Sequence, residues 1–235
     1  MTNITLLAAT RPKLLRQALE SIGDLSAATV TIRDACMSQS VGWVATTWAS
    51  SREIRNIAYC PRPDLLGTGP SRNDVIASSL RLFGRGEELY ISDDDVAFLQ
   101  PDWLTIMVTA YREAYKHNFR VLGAYGHPFN RPIAPPIRLE RCRWSVTEVY
   151  AVATQSMLMD WWTWFEFGPF CDTPAGKVCQ SEDVDFCNRI RAAGYKVGVI
   201  APPLLVNTGI TNSFGEHIPG WELVKSACPE GVICE

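Results

Sequence analysis

Residues 3–9, NITLLAA, form a short run of apolar and β-branched positions, and beyond Thr10, Arg11 and Pro12 the apolar period changes: Leu14, Leu15, Ala18, Leu19 and Ile22 recur at helical spacing. A buried strand followed by a helix with proline near its start accounts for that change. Further strands are predicted over 28–35 (ATVTIRDA) and 52–59 (REIRNIAY). The stretch PRPDLLGTGPSRND concentrates proline, glycine and small polar residues between apolar segments, which marks a loop. A helix is predicted from Asn73 onward, with Ile76, Leu80 and Phe83 on one face and Gly84 as its stop. GEELYISDDD then reads as a strand ending in three aspartates. Pro101 opens a helix whose apolar side carries Leu104, Met107, Val108, Tyr111 and Tyr115, and FRVLGAYG (119–126) is the strand after it.

The second half is less regular. Residues 127–145 are rich in proline and arginine and predict an irregular loop over the site. EVYAVATQSMLM (148–159) predicts a strand, WWTWFEFGPFCDTPAGKVCQ a turn-rich aromatic segment, SEDVDFCNRIRAAGYK a capped helix ending at Gly194, and VGVIAPPLLV a last strand. This succession of strands and helices predicts an α/β fold with a mostly parallel central sheet flanked by helices. In such sheets ligands sit at the carboxyl ends of the strands, and both the three aspartates and the 67–73 loop lie at such junctions.

Composition narrows the function classes. The 22 basic and 25 acidic residues are mixed along the 235-residue chain, so no dense basic face is available for nucleic acid, and no nucleic-acid partner is expected. No uncharged apolar stretch is long enough for a membrane span, and MTNITLLAATRPK lacks the basic segment and apolar core of an export signal. A cytoplasmic protein is expected, in which the eight cysteines are reduced thiols packed as small apolar residues. They form no CxxC pair and no Cys/His cluster with zinc spacing, and His117 and His127 lack metal partners at useful spacing.

The candidate chemistry starts at residues 93–95. Side chains alternate along an extended chain, so Asp93 and Asp95 point to one side and can share a cation while Asp94 points away. Carboxylate oxygens suit Mg2+ or Mn2+, which keep their other positions for water and phosphate. An isolated acidic turn is a common surface feature. Three adjacent carboxylates directly after a buried strand repel one another, and a bound cation explains how that cost is met.

In their order along the chain, the strand running into Thr10, Arg11 and Pro12, the GTGPSRNDVI loop, the strand-borne DDD, the turn GPFCD and the helix SEDVDFCNRIRAAGYK resemble family 2 type glycosyltransferases of the GT-A fold. The resemblance spans nearly all of residues 3–207. It implies a GT-A domain over 1–235, with a nucleotide-sugar half over about 1–100 and an acceptor half over about 101–220. It implies an inverting hexosyltransferase that takes a sugar from a UDP- or GDP-sugar with Mn2+ or Mg2+ and passes it to a hydroxyl of a glycan or other acceptor. By position, Thr10, Arg11 and Asp34 fall where the nucleotide is held, and Arg72 and Asn73 fall on the donor loop. Asp93 and Asp94 join the donor-binding residues, Asp93 and Asp95 the metal ligands. Asp183 takes the place of the catalytic base, with Glu182 beside it on the acceptor side.

The chain departs from that pattern after its last strand, where relatives of this type often carry a metal-binding histidine. Here Asn207 replaces it, or His217 reaches back, or Asp95, phosphate and water suffice. Trp161, Trp162 and Trp164 cannot all face inward from one strand or helix, which makes Trp161 and Trp162 candidates for stacking on acceptor sugars. Two other readings compete: a non-catalytic nucleotide-sugar or carbohydrate-binding module, and a sugar nucleotidyltransferase. The second needs a glycine-rich phosphate loop after the first strand, and LLAATRPK has no glycine there.

Overall fold

The structure is a computed structural model that describes residues 1–8, 11–23, 25–35, 39–51, 56–61, 68–124, 132–140, 143–171 and 182–208. The chain opens with β1 (Thr2–Ala8), α1 (Pro12–Ser21), β2 (Ala28–Asp34), α2 (Gln39–Ser51), β3 (Ile57–Pro61), α3 (Thr68–Phe83) and β4 (Glu88–Asp93). It continues with β5 (Val96–Phe98), α4 (Trp103–Tyr115), β6 (Phe119–Gly123), β7 (Ile137–Arg138), β8 (Ser145–Glu148) and β9 (Ser156–Asp160). Then come α5 (Trp161–Phe167), α6 (Glu182–Ala192), β10 (Lys196–Ala201) and β11 (Leu205–Asn207). Nine strands form one sheet in the order β3-β2-β1-β4-β9-β6-β10-β8-β7, in which β9 and β8 run against the rest, while β11 and β5 form a small antiparallel ribbon. The expected α/β architecture with a mostly parallel sheet is what the chain adopts.

Alternation along the central strands splits the core in two. Ile4, Leu6 and Ala8 of β1, with Val30 and Ile32 of β2, pack against α1, α2 and α4. Leu89 and Ile91 of β4, with Met157 and Met159 of β9, pack against α3, α5 and α6. Where α3 crosses β1 and β2 the seam is polar and made of small groups: Thr29, Thr31 and Arg33 face a helix whose buried positions include Gly69, Ser71, Ser78 and Ser79. Small side chains let the helix lie close to the sheet, so that its first turn reaches the strand ends.

Several elements differ from the sequence prediction. α2 was not anticipated, because its buried Val41, Val44, Ala45 and Trp48 are embedded among serine, threonine and glycine that dilute the helical pattern. The third strand begins at Ile57 rather than 52. α3 starts at Thr68, taking in most of the expected 67–73 loop, since Pro70 in a first turn loses no helical hydrogen bond. Of the predicted 148–159 strand only the last part is strand, in β9, while β8 ends at Glu148 and the backbone turns where Ser156 N–H donates to Ala153 O (3.1 Å). The aromatic segment expected to be turn-rich is α5, capped by Asp160, whose carboxylate accepts from Thr163 N–H at 2.6 Å. The last predicted strand breaks at Pro202 and Pro203, which cannot donate to a ladder, and continues as β11 in the ribbon.

Among the described residues, no helix is long and apolar enough to cross a membrane. Cys60 and Cys187 are free thiols, and His117 is an exposed surface residue.

The edge of the sheet at the amino ends of β1 and β4 is knotted by Asn3. Its Oδ1 accepts from Gly86 N–H (2.6 Å) and from the Trp161 indole (3.1 Å), and its Nδ2 donates to Thr29 Oγ1 (3.0 Å). Asn3→Ala leaves the buried Trp161 indole and the part-buried Gly86 N–H without an acceptor, a loss of about 2–4 kcal/mol. For a chain of this size, the expected outcome is a Tm lower by about 5–10 °C. The urea midpoint falls with an unchanged m-value, as equilibrium unfolding followed by circular dichroism will show.

Candidate active site

The parallel register of β1, β2 and β4 sets one edge of the sheet: Ala8 is level with Asp34, and Leu7 with Asp93. Residues 93–95, Asp34 and Arg11 therefore emerge side by side. The β11 and β5 ribbon returns the chain to the same place, with Asn207 opposite Val96 and Thr208 N–H donating to Asp95 O at 2.7 Å. The first turns of α3 and α6 complete the edge with Arg72, Glu182 and Asp183.

Two arginines organise the carboxylates. Arg72 is buried (2% exposed) and donates through Nη2 to Asp93 Oδ1 at 2.7 Å, while its Nε lies 3.9 Å from Glu182 Oε1. Arg11 donates to Asp95 Oδ2 at 2.9 Å and also to Asp94 Oδ1. Burial works against the Arg11 charge, but the carboxylates of Asp95, Asp94 and Asp93 outweigh it and hold the guanidinium above its ordinary range. Asp93 is pushed above the ordinary carboxylate range, first by burial and then by repulsion from Asp95, against the pull of Arg72. The other oxygen of Asp95, Oδ1, is buried with no hydrogen-bond partner among the described residues, and so is Thr208 Oγ1. Both are oxygen donors of the kind that a divalent ion takes.

Asp183 sits in the first turn of α6 between Glu182 and Val184. Burial, and then the charge of Glu182, push its carboxyl up to about 6, while the Val184 N–H (2.8 Å) and the Arg72 charge pull the other way. A carboxylate with this pKa is ionised at neutral pH yet is a better proton acceptor than an ordinary aspartate. Arg72 lies between the two groups of acids, reaching Asp93 on one side and Glu182 on the other.

Other sequence candidates are placed differently. Asn73 gives its whole amide to the backbone of Phe170: Nδ2 donates to the carbonyl and Oδ1 accepts from the N–H, both at 2.9 Å. Asp34 is at the site edge and buried, and its Oδ2 accepts from Tyr59 OH at 2.8 Å, a partner the sequence did not point to. Trp161 and Trp162 lie away from the acidic edge. They follow Asp160, which pairs with Glu88 at the opposite end of β4, about 17 Å from Asp93 at the usual rise of a strand. Trp161 is core, and Trp162 is exposed on that far edge under the Arg85 guanidinium. The turn-rich reading of that segment concealed the change of edge. Thr10 and His217 lie outside the described residues.

Sequence reasoning also passed over Thr208 and the buried pair of Arg33 with Asp74. The pair carries a signal in hindsight, because a full arginine inside an otherwise apolar strand pattern, TVTIRD, requires a carboxylate partner from another element. A cavity of about 640 Å3 opens between α3 and α6, lined by Asn73, Asp74, Phe170, Cys171, Asp185 and Arg189 among others. Neither Asp93 nor Asp183 lines it, so it is separate from the acidic edge.

No protein-family model matches the chain, and no curated protein sequence does. Solved structures do. The mannosyltransferase PcManGT from Pyrobaculum calidifontis, in complex with GDP-Man and Mn2+, superposes with a TM-score of 0.60 at 13% identity, over 84% of this chain and 56% of that one. GalNAc-T7 with UDP, GalNAc and Mn2+ superposes with a TM-score of 0.63 at 12% identity, over 85% of this chain and 42% of that one. The chain thus spans about half the length of the solved proteins it matches. At this identity the likeness establishes architecture: the chain has the GT-A fold of nucleotide-sugar-dependent glycosyltransferases.

Proposed function

We propose that the protein is a metal-dependent glycosyltransferase that moves a hexose from a UDP- or GDP-sugar to a hydroxyl of a glycan or similar acceptor, with inversion at the anomeric carbon. The observation that carries this reading is the meeting, on one edge of a GT-A sheet, of the Asp93 and Asp95 carboxylates, the buried Arg72, and the Asp183 carboxyl with its raised pKa. The similar structures, one with GDP-Man and one with UDP and GalNAc, both with Mn2+, support the donor class and the metal.

In this reading residues 1–100 form the donor half and residues 101–220 the acceptor half. Asp95 Oδ1, Asp93 and the Asn207 and Thr208 side chains would hold Mn2+ or Mg2+, which would neutralise charge on the diphosphate. Arg72 presents a fixed, dehydrated positive charge to the departing diphosphate, and Arg11 and Asp34 line the nucleotide side. The acceptor oxygen attacks the anomeric carbon as its bond to the diphosphate breaks, and Asp183 takes the acceptor proton. A single base on a different element from the donor carboxylates supports one displacement, hence inversion. A cytoplasmic location goes with this reading, in which the Cys60 and Cys187 thiols stay reduced.

UDP- and GDP-sugars are to be screened with and without Mn2+, by thermal shift and by transfer to oligosaccharide acceptors. The parent shows metal-dependent donor binding, and Asp95→Asn weakens it by about tenfold or more. Asp183→Asn abolishes transfer and keeps donor binding. Absence of metal-dependent binding with every donor would remove the transferase reading.

The same variant tests the electrostatics. Folded Asp183 keeps its proton up to about pH 6, whereas its ordinary value is 3.8. Its ionisation therefore opposes folding: the residue costs nothing below its unfolded pKa, costs increasingly as pH rises to about 6, and the cost then levels off. Asp183→Asn is expected to be more stable than the parent at pH 7–8 by about 1–3 kcal/mol, with the gap closing below about pH 4. Urea unfolding across that pH range measures it.

A further inference from the structure

Arg72, Asn73 and Asp74 are consecutive in α3, yet each is committed to a different element. Arg72 reaches β4 and α6, Asp74 pairs with Arg33 of β2, and Asn73 is bonded to the turn at residues 167–171. The contact between α3 and that turn is close: one helical turn before Asn73, a Cβ on Gly69 would stand 2.2 Å from Cys171 O. The other flank of the turn belongs to α6, whose Arg189 donates to Phe167 O and to Pro169 O (2.8 Å). Between the flanks the Phe170 ring packs on Phe186 of α6 (5.0 Å between centroids) and on Trp164 of α5 (5.3 Å).

Building on the transfer reading above, we propose that Asn73 is a positioning residue. Through the 167–171 turn it holds α6, and with it Asp183, in register with the donor-side cation Arg72. A carboxamide is suited to this because one side chain must donate to the Phe170 carbonyl and accept from the Phe170 amide at once. Both polar atoms are therefore used inside the protein, which separates Asn73 from the donor-binding role its sequence position implied. The arrangement joins the donor half to the base through backbone hydrogen bonds, where small displacements are costly to the reacting geometry.

The test uses the full chain and two variants that cut opposite flanks of the turn, Asn73→Ala and Arg189→Gln, the second of which also removes the ion pair of Arg189 with Asp185 (3.0 Å). The charges that act on Asp183, Glu182 on α6 and Arg72 on α3, stay in place in both variants. Donor affinity and kcat are measured, and the Asp183 carboxyl is titrated by carbon-detected NMR. In both variants kcat is expected to fall on the order of tenfold to a hundredfold while donor Kd changes less than about twofold. The Asp183 midpoint is expected to move from about 6 toward 3.8 as α6 loosens and water reaches the carboxyl.

A tenfold loss of donor affinity in Asn73→Ala with kcat unchanged would make Asn73 a donor ligand and overturn the proposal. So would a lower Tm with kcat and the Asp183 midpoint both unmoved, which is all that simple structural glue produces. If the parent itself transfers no sugar, the transfer reading fails on its own, and the Asp183 titration still decides whether Asn73 holds that carboxyl in place.

Discussion

Arg72 is withdrawn from water at the meeting point of three elements, with Asp93 of β4 2.7 Å from its Nη2 and Glu182 of α6 3.9 Å from its Nε. A buried guanidinium needs compensation from groups held in position, because the cost of removing it from water is several kcal/mol and is offset only by good geometry. Much of the surrounding structure supplies that geometry. The small residues of α3 bring its first turn down to the sheet, the Arg33 and Asp74 pair fixes the helix on β2, and Gly69 lets it meet the backbone at Cys171.

The electrostatics of the edge follow from the same constraint. Five carboxylates, Asp93, Asp94, Asp95, Glu182 and Asp183, share two arginines. Arg11 and Arg72 take the first three and reach toward Glu182, and Asp183, buried and beside the Glu182 charge, is left with a raised pKa. An anion-rich edge with an unsatisfied Asp95 oxygen favours a further cation, and a carboxyl left partly uncompensated is fit to accept a proton. Charge imbalance that weakens the fold locally is what would give the site its reactivity.

The opposite edge of the sheet has a different character. There Asn3, Trp161 and Gly86 form a closed hydrogen-bond knot, and Arg112 donates to both Glu87 (2.6 Å) and Glu88 (2.9 Å from Nε). The indole of Trp103 donates to Ile22 O at 2.8 Å, and its ring stacks on Phe98 with 4.0 Å between centroids. This end of the molecule is satisfied and aromatic, so its stability is available to offset the strain of crowded charges at the other.

Local sequence determined much of this protein: the opening strand and helix, the strand that carries three aspartates, the helix opened by Glu182 and Asp183, and the α/β class all follow from periodicity, caps and glycine stops. These are short-range effects, legible because each depends on residues a few positions apart. What lay beyond reach depended on neighbours distant in the chain. Serine and threonine could bury α2 and the seam of α3 because the sheet supplied partners. A pair of prolines sent the last strand into a separate ribbon, where Thr208 meets Asp95. The tryptophans went to the far edge because β9 runs antiparallel to β4. The partner of Asn73 is a backbone 97 residues away in the sequence, a pairing that only tertiary packing decides, since hydrogen-bond geometry leaves no periodic trace in the chain.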